Sequence, residues 1–288
     1  MKPAPFVYVA PSSIGDAVEM VGSYGRDGKV LAGGQSLVPM LNMRIVRPAA
    51  LIDISRVAQL GVIRHEDRIR LGAGTRMAAA LADERLGTAF PLLHEALRNV
   101  GSTAIRSRGT LGGSLAHADP AAELPATMLV LGADLVVEGP RGERVVPADE
   151  FFVGRGATAM GPDELLTEIH LPAAPPSTWG FQEVARRRGD LPLAGVVCAA
   201  QSDPHNVVRS ARLVLFGVAD RPVRARAAEE VLVGRSLAEA GLVDAVAELV
   251  TEGIEVVPDD RVPVVYRREA ATALARRALE DVVTRVRS

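Results

Sequence analysis

The sequence predicts an α+β protein in two parts, and two observations lead to this fold class. In the first part, short apolar strands alternate with helical segments until a proline-rich stretch, PAAPPSTWG, at residues 172–180. After this stretch three strands follow one another and helices come last, which is typical of an α+β layer with one sheet face covered. Prolines are strong local signals for loops. We therefore predict domains at residues 1–175 and 176–288.

Length and composition are those of an ordinary soluble globular protein. A chain of 288 residues with 48% hydrophobic residues is long enough for two domains. Its formal charge of −2 argues against a nucleic-acid or acidic-lipid partner, since both favour a basic excess. The N-terminus lacks the apolar core of a signal peptide. No apolar run approaches the roughly 18 residues of a membrane span, so we expect a cytoplasmic protein.

The cysteine content excludes several redox centres. The one cysteine, Cys198, lies in the apolar run AGVVCAA and is expected to be a small buried hydrophobe. A single thiol excludes an intrachain disulfide, a zinc ribbon and an iron–sulfur cluster, because the cluster alone needs about four thiolates. Any such centre must lie on another chain.

The first 100 residues contain clear signals for strands and helices. We predict strands at residues 6–9 and 51–55, and a helix capped by Ser13 that ends at Tyr24. Alternating apolar residues predict two strands within 61–75, around a polar turn at Glu66 and Asp67. The segment 77–86 reads as helical, and 91–100 has the apolar face and initial proline of a confident helix.

From residue 101 onward the first domain changes character. Residues 101–120 are rich in Gly, Ser and Thr, so we expect irregular structure there, followed by a buried helix from about Ala121. A hairpin with a Gly-Pro-Arg-Gly turn begins at Asp134, and a strand covers 164–172. In the second domain the predicted strands lie within 181–190, 193–203 and 207–220. The predicted helices lie near 224–233, 237–251 and 264–286.

A glycine pair stands at the centre of the segment VLAGGQSLVPML, from Val30 to Leu41. Adjacent glycines leave no Cβ between the main chain and a ligand and permit positive φ. Ser36 is a good N-cap for a short helix starting at Leu37. A strand, a Gly-Gly turn and a helix N-terminus place several N–H groups around one point, which suits a phosphate. A tight turn with no ligand is the alternative interpretation.

A second glycine pair, Gly112-Gly113, lies in TLGGS and repeats this chemistry. The two loops could clamp a pyrophosphate, donating from backbone N–H groups and from the side chains of Gln35, Ser36, Thr110 and Ser114. Downstream, Asp119 and Glu123 could accept hydrogen bonds from ribose or ribityl hydroxyls.

Four ordered segments carry a resemblance to a known family. AGGQSLVPMLNMR, RGTLGGSLAHADPAAELPA, ELLTEIHLP and FQEVARRRGDLPLAG are similar, in order and spacing, to the FAD-binding medium subunit of molybdenum hydroxylases. This group includes the carbon monoxide dehydrogenase flavoprotein and the FAD domain of xanthine dehydrogenase. The resemblance covers essentially the full length, including YRREAATALARRAL near the C-terminus.

The resemblance implies a two-lobed FAD-binding domain of the vanillyl-alcohol-oxidase type, with lobes at about 1–56 and 57–175. A C-terminal α+β domain with a three-stranded antiparallel sheet would follow. Val100 and Leu166 match positions that line the flavin or adenine pocket, and Gln182 falls where a lysine often approaches the isoalloxazine. The predicted cofactor-binding residues are Ala32, Gly33, Gly34, Gln35, Ser36, Leu37, Val100, Thr110, Gly112, Gly113, Ser114, Asp119, Glu123, Leu166, Gln182 and Leu191.

The sequence departs from the family pattern at two positions. Ser114 replaces the commoner asparagine, which keeps the hydrogen-bonding ability but shortens the reach. Leu191 replaces an aromatic residue that covers one flavin face in some members, and Pro192 follows it. We therefore expect a different loop shape at the flavin face.

The resemblance also implies the function and the partners. We expect an FAD subunit that receives electrons from [2Fe–2S] clusters on a small partner and passes them to an external acceptor. A large partner would carry the molybdenum cofactor and oxidise the substrate, in a dimer of heterotrimers. We expect no general acid or base in this chain. A stand-alone flavoprotein oxidase or reductase of the same fold, and a non-catalytic nucleotide-binding module, are the alternatives.

Two other motifs match known binding sites only superficially, one for a dinucleotide and one for a metal ion. Residues 154–159 match the dinucleotide fingerprint GxGxxA, but Met160-Gly161-Pro162 follows and prevents the helix that the fingerprint needs. His117, Asp119 and Glu123 could be drawn as metal ligands. They coincide with the predicted flavin loop and no second ligand cluster exists, so we expect no metal site.

Overall fold

The N-terminal lobe of the computed structural model, which describes residues 2–287, is a small parallel sheet. Its strands have the order β1-β3-β2, and α1 crosses over between β1 and β2. The Ser13 side chain accepts a hydrogen bond of 3.1 Å from the Asp16 N–H, as predicted for the cap of α1. The elements are β1 (Val7–Val9), α1 (Ile14–Tyr24), β2 (Gly28–Leu31), α2 (Leu37–Asn42) and β3 (Ala50–Asp53).

The second lobe is built around a five-stranded antiparallel sheet of order β4-β5-β10-β6-β7. Six helices separate β5 from β6, and five of them contribute buried residues to its core. The elements are β4 (Ile63–His65), β5 (Ile69–Gly72), α3 (Met77–Ala82), α4 (Glu84–Ala89), α5 (Pro91–Asn99), α6 (Thr103–Arg108), α7 (Leu111–His117), α8 (Glu123–Leu131), β6 (Asp134–Gly139), β7 (Gly142–Pro147), α9 (Ala148–Phe151), β8 (Phe152–Gly154), β9 (Ala157–Thr158) and β10 (Leu165–His170).

The C-terminal part is an antiparallel sheet of order β11-β12-β13-β14 with helices after it. The antiparallel sheet is as predicted, and a two-residue strand joins the three expected ones at one edge. The elements are β11 (Thr178–Val184), β12 (Ala194–Ser202), β13 (Val208–Phe216), β14 (Val223–Arg224), α10 (Arg226–Leu232), α11 (Leu242–Glu248) and α12 (Val264–Arg287).

Both faces of this C-terminal sheet are covered, which corrects the expectation of one open face. Val196, Cys198 and Leu213 pack with the helices that follow the sheet. Alternate residues such as Val197 and Val214 belong instead to the core of the second lobe, because successive side chains on a strand point to opposite faces. The helix α8 lies against β12 and β13, and all nine of its residues are buried.

The interpretation of residues 101–120 as irregular is wrong in part, because two short helices form there. The helix α6 is capped by Ser102, whose side chain accepts from the Ile105 N–H. The helix α7 is capped by Thr110, and its Leu111 and Leu115 are buried. Capping and tertiary burial outweigh the low helix propensity of Gly, Ser and Thr.

None of the helices within residues 2–287 is long and apolar enough to cross a membrane.

Candidate functional site

The first glycine pair lies in the loop between β2 and α2, and its two glycines are required for different reasons. A Cβ on Gly33 would stand 2.4 Å from the Arg108 carbonyl oxygen and 2.8 Å from the Gly109 Cα. Gly34 has a φ of +73°, a left-handed conformation that L side chains rarely adopt. Gly33 thus permits a close backbone contact, whereas Gly34 permits the turn.

This loop leaves a row of backbone donors without a protein partner. Within residues 2–287, the N–H groups of Gly33, Gly34, Gln35 and Ser36 donate to no protein acceptor. Successive N–H groups in such a turn form a concave site for an anion. The Gln35 side chain turns back onto its own loop, since its Nε2 donates to the Gly33 carbonyl oxygen at 3.1 Å.

The predicted role of Ser36 as a side-chain cap is wrong. The helix α2 begins at Leu37 as expected, but Ser36 has helical backbone angles and its hydroxyl makes no capping hydrogen bond. This hydroxyl is exposed beside the unpaired N–H groups and can donate to an anion.

The second glycine pair forms the first turn of α7 and uses its backbone donors internally. The N–H of Leu111 donates to the Thr75 carbonyl oxygen at 3.0 Å, and that of Gly112 to the Ala73 carbonyl oxygen at 2.8 Å. The Gly113 N–H donates to Thr110 Oγ1 at 3.0 Å. What this segment can still donate to a ligand is the hydroxyl protons of Thr110 and Ser114.

The structure brings the two glycine segments together. Gly33 lies against Arg108 and Gly109, and a Cβ on Gly113 would be 3.8 Å from the Ala32 Cβ. The Arg76 guanidinium donates to the Arg108 carbonyl oxygen and so supports this contact from behind. Within residues 2–287 neither Arg76 nor Arg108 forms a salt bridge with a carboxylate. Neither cation was predicted from the sequence, although Arg108 lies four residues before Gly112. Arg76 is distant from both glycine pairs in sequence and is brought to them only by the fold.

The two carboxyl groups nominated from the sequence, those of Asp119 and Glu123, follow α7. Glu123, at the start of α8, is only 4% exposed, and no side chain or backbone group of another described residue hydrogen-bonds its carboxyl group. Burial, with a smaller contribution from the nearby charge of Asp119, raises the pKa of Glu123 to about 7. Asp119 Oδ1 accepts from the Ala121 N–H at 2.9 Å, which orders the turn into α8.

The predicted pocket residues occupy three different environments. Leu166, on β10, is 3% exposed and belongs to the main hydrophobic core. Val100 ends α5 and packs on the edge of the same core. Leu191 is 50% exposed on the loop between β11 and β12.

Gln182 points away from the first domain, so the structure does not place it with the other predicted site residues. Its Nε2 donates to Asp281 Oδ2 on α12 at 2.9 Å. The next residue, Glu183, is on the opposite face of β11, towards α5 and α8. Burial raises the pKa of Glu183 to about 8, and the charges of Glu123 and Glu95 contribute. Its Oε2 is buried without a hydrogen-bond partner.

The GxGxxA match at residues 154–159 forms a turn, as expected. The strands β8 and β9 pair across it as a short hairpin, and no helix follows. The segment therefore lacks the helix N-terminus that a dinucleotide fingerprint requires.

The site combines unpaired N–H groups, hydroxyl donors and two cations at one end with two carboxyl groups further along, of which that of Glu123 is buried. The donors suit a pyrophosphate, and the carboxyl groups suit the hydroxyls of a ribityl or ribose unit. The donors fit the phosphate portion of a flavin dinucleotide, and the carboxylate acceptors fit its sugar portions.

Comparisons with known families agree with this geometry. Residues 4–174 match the model of the FAD binding domain in molybdopterin dehydrogenase. Residues 179–282 match the model of the CO dehydrogenase flavoprotein C-terminal domain. Fold and site together define a two-domain FAD-binding flavoprotein subunit.

Individual relatives cover the whole chain. The 6-hydroxypseudooxynicotine dehydrogenase complex subunit alpha of Paenarthrobacter nicotinovorans is 36% identical over 100% of this chain and 97% of its own. Caffeine dehydrogenase subunit beta of Pseudomonas sp. (strain CBB1) is 35% identical over 99% and 97%. A carbon monoxide dehydrogenase structure from Hydrogenophaga pseudoflava, which lacks the Mo-pyranopterin moiety, superposes with a TM-score of 0.95 at 36% identity and 99% coverage of both chains. The chain belongs to the family of FAD-binding medium subunits of molybdenum hydroxylases.

Proposed function

We propose that this chain is the electron-transfer subunit of a multi-subunit molybdenum hydroxylase or dehydrogenase. It receives electrons from [2Fe–2S] clusters on a small partner chain and passes them to an external acceptor. A large partner carries the molybdenum cofactor and oxidises the substrate, and the complex is a cytoplasmic dimer of heterotrimers. The observation that carries the proposal is the row of unpaired N–H groups at Gly33–Ser36 in a chain matched over its length to these subunits.

The residues of this chain hold the FAD in two ways. The N–H groups of the first glycine loop, with the hydroxyls of Thr110 and Ser114, bind the pyrophosphate, and Arg76 and Arg108 add positive charge. Glu123 and Asp119 accept hydrogen bonds from the sugar hydroxyls. Val100 and Leu166 line the ring pockets. When bound, FAD supplies redox chemistry in steps of one or two electrons, so the protein's task is to position and tune it.

The domain division is part of the proposal. The chain between β10 and β11 carries the prolines of residues 172–176, and the sheet changes across this segment. We place the FAD-binding domain at 1–175, with lobes meeting near residue 56, and the C-terminal domain at 176–288.

The named substrates differ among relatives that are almost equally similar to this chain. Relatives named for 6-hydroxypseudooxynicotine and for caffeine are almost equally similar to it, at 36% and 35% identity. This pattern supports a chain that handles electrons, with the substrate bound by a partner.

The proposal is tested by adding cofactor to the purified full chain. With FAD we expect retained flavin absorption after gel filtration, without iron–sulfur absorption and without bound iron or molybdenum. Riboflavin is the matched control ligand, because it has the same ring and no pyrophosphate, and we expect it to be lost. A chain that stays colourless with FAD, or retains riboflavin equally well, would contradict the proposed site.

A second measurement separates the proposal from a self-sufficient enzyme. We expect the chain to co-purify from its native source with two partners, of which one contains iron and sulfide and the other molybdenum. Substrate turnover by the FAD-loaded chain alone would instead indicate a stand-alone oxidase or reductase.

A further inference from the structure

The loop between β11 and β12, residues 185–192, is closed at its base and exposed at its tip. The Leu193 N–H donates to the Val184 carbonyl oxygen at 2.8 Å, and the Asp190 N–H donates to the Arg187 carbonyl oxygen at 3.1 Å. Leu191 and three consecutive arginines, residues 186–188, are exposed on it. We call this segment the 185–192 loop.

On one side the loop packs against the first domain beside Val100. Gly189 has a φ of +82°, and a Cβ there would stand 2.7 Å from the Gly101 carbonyl oxygen. Only glycine permits this approach of two backbones without strain. The 185–192 loop is thereby held next to a residue predicted to line the flavin pocket.

On the other side a single side chain holds the loop by its carbonyl oxygens. Arg261 Nη1 donates to the Leu191 carbonyl oxygen at 3.2 Å, and Nη2 lies 3.5 Å from that of Pro192. The planar guanidinium can address these carbonyls and a carboxylate at once, which an ammonium group cannot do. No other side chain within residues 2–287 donates to a carbonyl oxygen of this loop.

The guanidinium is itself fixed by a partly buried network of charged side chains. Arg261 Nε and Nη2 donate to the two oxygens of Asp259 at 2.9 and 3.0 Å. Asp259 also accepts from Arg267 Nη2 at 2.6 Å, and Arg267 is only 3% exposed. The hydrogen bond from Arg261 holds the pKa of Asp259 well below its usual range, so this carboxylate is charged at neutral pH.

The network is tied to the fold on its far side. Arg267 Nη1 donates to the Val257 carbonyl oxygen at 2.9 Å, and the Val257 N–H donates to the Val218 carbonyl oxygen at 2.9 Å. The Gly217 N–H donates to the Pro120 carbonyl oxygen at 2.7 Å, beside Asp119. The support for Arg261 therefore reaches the same turn that carries the predicted sugar-binding carboxylate.

We propose that Arg261 is a positioning residue that fastens the 185–192 loop at the flavin face, with Asp259 and Arg267 as its anchor. The statement about the flavin face rests on the proposed function, whereas the fastening does not. Exposed ion pairs contribute little by themselves. Arg261 differs from these because its partners include the backbone of a loop, so its loss frees a segment and not only a charge.

Limited trypsin digestion of the full chain tests the fastening without FAD, because the loop carries its own cleavage sites at Arg186, Arg187 and Arg188. Cleavage needs local opening of the segment. In Arg261→Gln we expect the initial rate of cleavage at these three sites to rise about tenfold over wild type. Arg276→Gln is the matched control, since Arg276 pairs with Asp244 and Glu248 and touches no part of the loop. We expect its rate to stay at the wild-type value.

Equal cleavage rates in Arg261→Gln and Arg276→Gln would overturn the proposal. If Arg261→Gln is cleaved throughout the chain, Arg261→Lys is used instead, because it keeps the charge beside Asp259 but loses the fork geometry. If Arg261→Lys is folded and its loop is cleaved at the wild-type rate, the proposal is overturned.

The role of Arg261 at the flavin face is tested separately, with protein that has retained FAD. We expect iodide to quench the flavin fluorescence more strongly in Arg261→Gln than in wild type, and unchanged quenching would contradict a role at the flavin face. A chain that binds no FAD but shows faster loop cleavage would refute the proposed function and leave the fastening intact.

Discussion

The two Gly-Gly pairs read alike in sequence but have different tasks in the structure. At Gly33-Gly34 the chain turns with a positive φ and leaves four successive N–H groups unpaired. At Gly112-Gly113 the chain is the first turn of a capped helix, and its N–H groups bond to Ala73, Thr75 and Thr110. The same dipeptide thus supplies backbone donors in one place and close packing in the other. The backbone around each pair determines which task it has.

The largest effect is expected at the first pair. In Gly33→Ala the new Cβ would stand 2.4 Å from the Arg108 carbonyl oxygen, a backbone atom that no side-chain rotation can move. The loop must shift, at a cost of about 1–3 kcal/mol, and its N–H groups lose their alignment. We expect retained FAD to fall to about a tenth of wild type or less, measured by absorbance after gel filtration.

The matched control for this change is Gly15→Ala. A Cβ on Gly15 meets only Ser13 Oγ at 4.0 Å, within a helix, so alanine should be neutral or slightly stabilising. Wild-type flavin content in Gly33→Ala would remove the first loop from the site.

The second pair should affect stability more than binding. In Gly112→Ala the new Cβ would lie 2.4 Å from the Ala73 Cβ and 2.7 Å from its carbonyl oxygen. We expect a loss of about 1–3 kcal/mol in the free energy of unfolding, with the FAD Kd of the folded protein within about threefold of wild type. Titration with FAD and thermal unfolding measure both. If Gly112→Ala lost as much FAD as Gly33→Ala while its stability stayed unchanged, the two glycine pairs would not differ in their tasks.

Variants of Thr110 separate two roles of its hydroxyl, the capping of α7 and the binding of FAD. Thr110→Val removes the cap of α7, which is worth about 1 kcal/mol, and also one hydroxyl donor. Ser102→Ala removes the corresponding cap of α6, so similar losses in Tm are expected for both variants. Only Thr110→Val should weaken FAD, by about three- to tenfold, and Thr110→Ser should restore it. Equal FAD affinity in Thr110→Val and Ser102→Ala would show that the hydroxyl only caps.

The smallest expected effect is on the pH dependence of stability. It lies outside both glycine pairs, which contain no titratable side chain, and it depends on Glu183. Burial raises the pKa of Glu183 from an ordinary 4.5 to about 8. Between these values the folded protein binds a proton that the unfolded chain releases, so stability falls as pH rises through this window. Glu183→Gln removes the titration. We expect it to raise stability by about 1 kcal/mol at pH 8, and less at pH 5, relative to wild type.

Thermal unfolding of FAD-free protein at both pH values measures this change, with the exposed Glu252→Gln as control. A gain in Tm that is the same at pH 5 and pH 8 would show that Glu183 does not titrate in this window.

Local patterns predicted most of the elements. The cap at Ser13, the strands on either side of Glu66 and the proline-initiated helix α5 all depend on residues close in sequence. The helices α6 and α7 were not predicted, because their stability comes from two caps and from burial of Leu111 and Leu115 against distant chain. Composition alone gives such a segment no helical signal.

The parts of the candidate site that lie in contiguous sequence motifs could be predicted from the sequence. The two glycine segments and the carboxyl groups after them could be nominated from the sequence, since each motif is contiguous, and their role in FAD binding stays a prediction. Gln182 was nominated by its match to a family position, and the structure turns its side chain towards α12. Alternation could not have corrected this, because both faces of β11 are covered and the pattern does not tell which face meets the first domain. Arg76 and Arg261 were missed because their partners are backbone oxygens far along the chain, 32 and about 70 residues away.

The two-sided C-terminal sheet has a consequence for how the chain can be divided. Phe181, Val197, Ala199, Val214 and Phe216 sit in the same apolar cluster as α8, so the prolines before β11 mark a change of sheet but not a change of core. Truncation of the chain at that point would remove part of the first domain's hydrophobic core and expose α8 to solvent. The two halves therefore share one apolar core, although sequence matching treats them as separate modules.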